Sequence, residues 1–278
     1  MKIRVLVDNN TLIDRYYYGE PGLSLIIEDG GKTLMLDTGY TDIILKNAEL
    51  MGFDFSRVDT LVFSHGHDDH TRGFKFIYER MPQVVKNFTV VGHPEVFADK
   101  RDEGENADEV EHFGTPYRLS EMEKICGLAL SREPFKISDN ITFLGEIPTY
   151  FDFEERYKMG LYMKDGKWED DYETEDSALV YQGKDGIFVI TGCSHSGICN
   201  IVEHAKRVTG CDKVLGVIGG FHMFKKDERL AKTIEYLQGC NIKDLYPCHC
   251  VSFKAKAEMY KAGLPVHGIG VGVELEVE

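Results

Sequence analysis

Residues 64–73 read Ser-His-Gly-His-Asp-Asp-His-Thr-Arg-Gly and follow directly on the apolar run Leu61, Val62, Phe63. Whatever fold the chain adopts has to seat this loop at the end of a strand. Three histidines and two aspartates in ten positions supply the imidazole nitrogens and carboxylate oxygens that a transition-metal site uses. Gly66 lets the backbone fold back on itself. In a locally extended segment His65 and His67, two apart, turn their rings to one side. Asp69 and His70 follow where the chain must turn, which lets them face a second metal, so two metals are the economical reading. The competing reading is a polar loop whose histidines merely cluster, and ten histidines in 278 residues argue against it.

The opening reads as strands over Lys2 to Val7, Leu23 to Glu28 and Thr33 to Leu36, the last two joined by Asp29-Gly30-Gly31, a hairpin signal. Asp37 then lies at a strand end. Ile44, Leu45, Ala48 and Met51 recur at helical spacing over 41–51, with Gly52 suited to the C-terminal cap. A strand at Thr60 to Phe63 delivers the histidine loop. Val84 to Val91 is another apolar run, ending in Gly92-His93-Pro94, where His93 reads as a structural turn or pocket residue. From about Glu95 to Trp168 periodicity weakens, and the stretch reads as a lid or insertion lining a substrate pocket. Its Phe113, Tyr117, Tyr150, Phe151, Phe153 and Tyr157 could stack on a planar ring, although packing under the insertion is the commoner use of such residues.

A second hairpin, Ser177 to Tyr181 and Gly186 to Thr191, turns at Gly183-Lys184-Asp185-Gly186 and delivers Cys193 and His195. An amphipathic helix with Ile198, Ile201, Val202, Ala205 and Val208 follows, closed by Gly210. Its positive end points towards the metal region, a natural place for an anionic substrate group. Val214 to Ile218 is a strand ending in Gly219-Gly220-Phe221-His222, with a helix from Asp227; Leu245-Tyr246 leads into His249 and a helix from Ser252 to Ala262. The histidines recur where strand gives way to loop, as chemistry does in α/β architectures. Strand-rich segments alternating with one-sided helices in both halves predict an α/β, four-layer αββα sandwich: two mixed sheets face to face with helices outside, in a single domain over 1–278.

At 278 residues and 42% hydrophobic composition the chain can build a large core. No apolar run approaches a membrane span, and Asp8 interrupts any signal-peptide core, so a cytoplasmic location and no membrane contact are expected. The seven cysteines, several beside the histidine motifs, then favour free thiols or metal ligation over disulfides. Cys248-His249-Cys250 lacks a Cys-x-x-Cys partner pair for a structural zinc. The net charge of −15 is concentrated in Asp99 to Glu111 and Glu169 to Asp176. Both runs read as solvated faces. The charge disfavours nucleic-acid partners, and nothing in the sequence sets the oligomeric state.

The pattern His65-x-His67-x-Asp69-His70 resembles, residue for residue, the signature of the metallo-β-lactamase superfamily, and the resemblance extends over nearly the whole chain. Leu36-Asp37-Thr38-Gly39 matches its earlier Asp-x-Gly element. Thr191-Gly192-Cys193-Ser194-His195-Ser196-Gly197-Ile198, Gly219-Gly220-Phe221-His222 and Pro247-Cys248-His249-Cys250 resemble one branch, that of the archaeal dihydropterin-ribofuranosylaminobenzene phosphate synthases and their bacterial relatives. The resemblance implies two divalent transition-metal ions, zinc foremost, with manganese, iron or magnesium as alternatives. His65 and His67 would hold the first; Asp69, His70 and His249 would hold the second. His195 is the candidate for the missing ligand of the first. The common pattern has a separate histidine before the second hairpin and a bridging aspartate at its end; Gly145-Glu146-Ile147-Pro148 supplies no histidine, and Cys193 stands where the aspartate would be. Cys193 is therefore a possible additional ligand, or simply a small buried residue. Asp37 would orient a ligand imidazole. Asp69 and His222 are the candidates for catalytic roles, His222 as a general acid or anion binder, with a hydrogen-bonded core histidine as its alternative. Arg72 reads as solvated, with contact to a phosphate or carboxylate as its alternative.

A bridged metal pair suits hydrolysis of esters, lactones or phosphodiesters. The branch instead implies a transferase for a small anionic, phosphorylated, aromatic or pterin-related substrate, with the metals orienting a phosphorylated leaving group and a ribosylaminobenzene acceptor. Redox chemistry at iron is the third reading; it is disfavoured because the superfamily's flavodiiron members carry glutamate where this chain has His67 and bring a flavin domain for which no residues remain.

Overall fold

Strands such as Leu34-Met35-Leu36 and Ile187-Phe188-Val189-Ile190 are apolar at every position, so both of their faces must be covered. The computed structural model, which describes residues 1–104 and 110–278, covers them in four layers. A seven-stranded sheet runs in the spatial order Glu274–Glu276, Lys2–Val7, Ser24–Asp29, Lys32–Leu36, Thr60–Val62, Thr89–Gly92, Gly127–Leu130. A six-stranded sheet runs Asp244–Pro247, Val214–Gly219, Gly186–Thr191, Ala178–Gly183, Ile141–Phe143, Phe135–Lys136.

The period-two alternation of each strand sorts its side chains between layers. Leu25, Ile27, Leu34, Leu36, Val62 and Val91 of the first sheet meet Phe143, Leu179, Phe188, Ile190 and Ile218 of the second in one core between the sheets. Their neighbours Ile26, Met35, Leu61 and Val90 face outward, against the helices Ile43–Met51, Gly73–Arg80 and Leu119–Ile125. On the far side Val180, Ile187, Val189 and Val217 pack under Ile198–Thr209, Glu228–Gly239 and Phe253–Lys261. No described helix is long and apolar enough to cross a membrane.

Both sheets are mixed. Lys32–Leu36, Thr60–Val62, Thr89–Gly92 and Gly127–Leu130 are parallel in the first, and Gly186–Thr191, Val214–Gly219 and Asp244–Pro247 in the second. Parallel strands end at the same edge, so the loops after Leu36, Val62, Thr191, Gly219 and Pro247 gather at one rim of the sandwich.

The apolar run from Val84 divides: Pro82–Val85 forms a helical turn, Pro82 occupying its first position, and Thr89–Gly92 is extended. One expectation is corrected: the 95–168 segment, for all its weak periodicity, is not poor in elements. It contributes Gly127–Leu130 to the first sheet, Phe135–Lys136 and Ile141–Phe143 to the second, and Gly160–Lys164 to a small three-stranded sheet with Lys100–Arg101 and Lys167–Asp171. These strands are two to five residues long, too short to show a period. Part of the acidic run 99–111 lies outside the described residues.

Gly73 opens the helix after the histidine loop at a point where the backbone of Thr38 leaves no room: a Cβ there would lie 1.9 Å from the Thr38 carbonyl oxygen. Gly73→Ala is therefore expected to destabilise the protein by about 1–3 kcal/mol, the cost of overpacking, read as a lowered denaturant midpoint at unchanged slope. An unchanged midpoint would show that the two loops are not locked together.

Candidate metal centre

The rim loops turn sharply, and four of their non-glycine residues do so in the left-handed region: Asp37 (φ 57), Ser194 (φ 59), His222 (φ 48) and His249 (φ 51). Such conformations cost energy for residues with a side chain and gather where surrounding structure imposes them. Here they swing side chains from the strand ends into one cleft.

The cleft brings His65, His67, Asp69, His70, His195, His249 and Cys193 together. Ligand atoms of His65, His67 and His195 lie within 4.8 Å of one another, as do those of Asp69, His70 and His249, and those of His65, His70 and Cys193. Four imidazoles, those of His65, His67, His70 and His249, are oriented through their other nitrogen. His65 Nδ1 is 2.9 Å from Ser64 Oγ, which leaves Nε2 inward. His70 Nδ1 is 2.7 Å from Asp37 Oδ2, with Nε2 only 3.1 Å from His249 Nε2 and 3.2 Å from Cys193 Sγ. His249 Nδ1 meets Asn9 Oδ1 at 2.8 Å. His67 uses Nε2 for Glu173 (2.8 Å), which leaves Nδ1 as its ligand atom.

This arrangement fits a pair of metal ions. Among the described residues His65 Nε2 and both ring nitrogens of His195 are buried without any hydrogen-bond partner, a costly state for imidazole unless a cation takes the lone pair. Asp176 Oδ1 is likewise buried without a partner among those residues. In the metal-free protein burial first, then the neighbouring histidines, hold His65 and His195 well below the ordinary value. Burial and Lys100 bring His67 to about 4. These three rings are neutral and ready to ligate at pH 7. Burial also opposes charge on His70, yet the Asp69 and Asp37 carboxylates outweigh it and raise the ring to about 9. Burial raises Asp69, but His70 and His249 hold it well below the usual carboxylate range.

His222 borders the cluster. Its ring centroid is 4.5 Å from that of His195, its Nδ1 is 2.6 Å from the Tyr157 hydroxyl, and its backbone N–H donates to Cys250 Sγ at 3.2 Å. Burial, then the charge of Arg229, brings it to about 4. Cys250 joins Cys193 and His249 in a further group of potential ligands. All seven cysteines are free thiols. His93 is a buried structural residue: Nδ1 accepts from the Glu95 N–H, and Nε2 faces Arg132. Arg72 lies exposed over the Tyr40 ring.

Sequence reading missed the residues behind the candidate ligands. Asn9, which holds His249, and Asp8, which accepts its backbone N–H, follow the first strand with no motif to mark them. Of the acidic residues in the run from Glu169 to Asp176 only Glu169 and Asp170 are solvated. Asp171, Glu173, Glu175 and Asp176 are buried, and Lys100, also buried, lies 2.6, 3.0 and 2.8 Å from the first three. Positions 171, 173 and 175 alternate inward while Tyr172 is exposed, a period-two signal that charge alone obscured. Burial first, then its acidic neighbours, raises Glu173 and Glu175 to about 7.

The N-terminal end of the 198–209 helix is not open to a substrate. The buried Glu154 carboxylate already accepts its Cys199 and Asn200 N–H groups at 3.1 and 2.8 Å. Of the six aromatics singled out, Phe113 packs edge-on to His67 and Tyr157 bonds His222. Phe151 and Phe153 pack on the helix layer, Tyr150 stacks on His204, and Tyr117 meets Phe74.

Comparison with known proteins agrees with this picture. The sequence profile described as the metallo-beta-lactamase superfamily matches residues 17–249. An uncharacterised protein of Methanocaldococcus jannaschii is 31% identical over 269 residues, 96% of each chain. The same organism's 7,8-dihydropterin-6-methyl-4-(beta-D-ribofuranosyl)-aminobenzene-5'-phosphate synthase is also 31% identical, over 92% of this chain and 89% of its own. Among solved structures, one described as a metal-dependent hydrolase of the beta-lactamase superfamily superposes with a TM-score of 0.81 at 25% identity, over 100% of this chain and 99% of that one.

Two outcomes are expected. Metal-replete protein should carry about two transition-metal ions per chain by elemental analysis, with His65→Ala and His249→Ala each losing a different one first; consistent single occupancy would break the pairing. Below pH 9 a metal must displace the His70 proton, so apparent affinity should rise by about tenfold per pH unit between pH 6.5 and 9 from this group alone. Competition against a chelator measures that slope, and a flat profile would remove His70 from the ligand set.

Proposed function

The chain belongs to the metallo-β-lactamase superfamily, and from that premise we propose that it is a metal-dependent enzyme acting on a small phosphorylated, aromatic or pterin-related substrate, by group transfer. The observation that carries the reading is the set of buried, partnerless imidazole nitrogens of His65 and His195 beside the Asp69, His70 and His249 group. Full-length likeness to the synthase supports the substrate class. A hydrolase of a small ester, lactone or phosphodiester is the second reading, favoured by the likeness to the metal-dependent hydrolase.

When bound, a divalent pair polarises a substrate oxygen and lowers the pKa of coordinated water, chemistry that serves both readings. The residues around it set the outcome. Ser64, Asp37, Asn9 and Glu173 fix the ring orientations, so the site is preorganised. His222 is neutral at pH 7; in the tautomer whose Nδ1 accepts from the Tyr157 hydroxyl the ring proton sits on Nε2, from which a leaving group can be protonated. The net charge of −15 repels nucleic acid and leaves small molecules as the expected partners.

The test incubates metal-replete protein with a dihydropterin bearing an activated methyl group and a ribofuranosylaminobenzene phosphate, with products resolved by mass spectrometry. The joined product is expected, and His222→Gln should lower its rate by about 10²–10⁴-fold, the usual worth of a general acid. Hydrolysed donor alone would decide for the second reading. Cleavage of structured RNA with both small molecules untouched would overturn both.

A further inference from the structure

A cavity of about 260 Å³ opens beside His222, lined by Tyr157, His222, Phe224, Lys225, Asp227 and Arg229 together with Met223. Its charge is unusual for so acidic a protein. Lys225 and Arg229 form no ion pair among the described residues, and the Nε of Arg229 is buried without a hydrogen-bond partner. Neighbouring Lys226, by contrast, is bound to Glu258. The nearby carboxylates are already engaged: Asp227 caps its own helix by accepting the Leu230 N–H at 3.0 Å, and Glu154 accepts two N–H groups of the 198–209 helix. A half-buried guanidinium left over in this way has fork geometry suited to an oxyanion.

The remaining walls are aromatic. Tyr157 and Phe224 are about half exposed, and Phe224 stands edge-on to the His222 ring at 4.8 Å. His222 thus belongs to both places: it lines the cavity with Lys225 and Arg229 and packs against His195 of the histidine cluster. A molecule in the cavity with its charged end on Arg229 would present its body to His222.

We propose that Arg229, assisted by Lys225, is the clamp for a phosphate monoester carried on an aromatic scaffold, with Tyr157 and Phe224 flanking that scaffold. The assignment rests on the reading of the chain as an enzyme of small phosphorylated substrates and names where the phosphate is held. Two cations suit the dianion of a phosphate monoester better than a singly charged carboxylate.

The experiment titrates phenyl phosphate and benzoate into metal-loaded wild type, Arg229→Gln, Arg229→Lys and Lys225→Gln by calorimetry, with metal content measured on every sample. Phenyl phosphate should bind more tightly than benzoate. Arg229→Gln should weaken it by at least about tenfold, Arg229→Lys should restore part of the loss, and Lys225→Gln should weaken it severalfold, all at unchanged metal content. Equal binding to wild type and Arg229→Gln would place the anion on the metals and overturn the clamp. Benzoate binding as tightly as phenyl phosphate overturns the phosphate assignment. Should Arg229→Gln fail to fold, unchanged binding in Lys225→Gln overturns the proposal. Loss of phenyl phosphate binding with metals retained carries the clamp even if no ester is turned over, so its fate and that of the proposed function are read separately.

Discussion

The Asp37 carboxylate holds the site together. It is fully buried, sits in the left-handed region at the end of its strand, and has both oxygens engaged. Oδ1 accepts the Ser64 N–H at 2.8 Å; Oδ2 accepts the Ser64 hydroxyl at 2.6 Å and faces His70 Nδ1 at 2.7 Å. One side chain thereby fixes where the histidine loop begins, orients His65 through Ser64, and directs His70 Nε2 into the cleft. Removing one partner of a buried charged network commonly costs 3–5 kcal/mol because the others are left uncompensated. Gly192 belongs to the same constraint: a Cβ there would lie 2.1 Å from Ser64 Oγ, so the second sheet can approach only with glycine at that position.

Lys100 plays the corresponding part on the other side of the loop. Its ammonium balances Asp171, Glu173 and Glu175, and Glu173 passes that order on to His67. Burying one cation among three carboxylates is tolerable only if the carboxylates share protons or find further donors. The upward shift of Glu173 and Glu175 to about 7, caused first by burial, expresses that strain. A cation bound at His67 would relieve it.

The layers, the strand ends and the histidines were legible in sequence because they obey local rules. The apolar run Leu34-Met35-Leu36, the Gly183 to Gly186 turn and the helical spacing of Ile198, Ile201, Val202 and Ala205 each follow from one element alone. What was not legible depends on distant partners. Glu154 lies 45 residues from the Cys199 N–H it accepts, and nothing near Glu154 announces that the helix end is already taken. Lys100 lies 71 residues from Asp171, so an acidic run that looked solvated proved to be half of a buried network. Arg229 carries no motif; its significance comes from what fails to pair with it.

The cleft is assembled from both sheets. The first supplies Asp37, His65, His67, Asp69 and His70; the second supplies Cys193, His195, His222 and His249. A metal held by His65, His67 and His195 is therefore bound by both sheets at once, and its binding free energy also fastens them together. The same geometry separates two tasks. The metal-facing residues are fixed by strand ends and buried hydrogen bonds, which leaves them little freedom to vary. The outer wall of Tyr157, Phe224, Lys225 and Arg229 comes from loops and the first turn of one helix, with side chains that bear little of the core. If that wall holds the substrate as proposed, changes of substrate can be made there while the metal-facing residues stay in place.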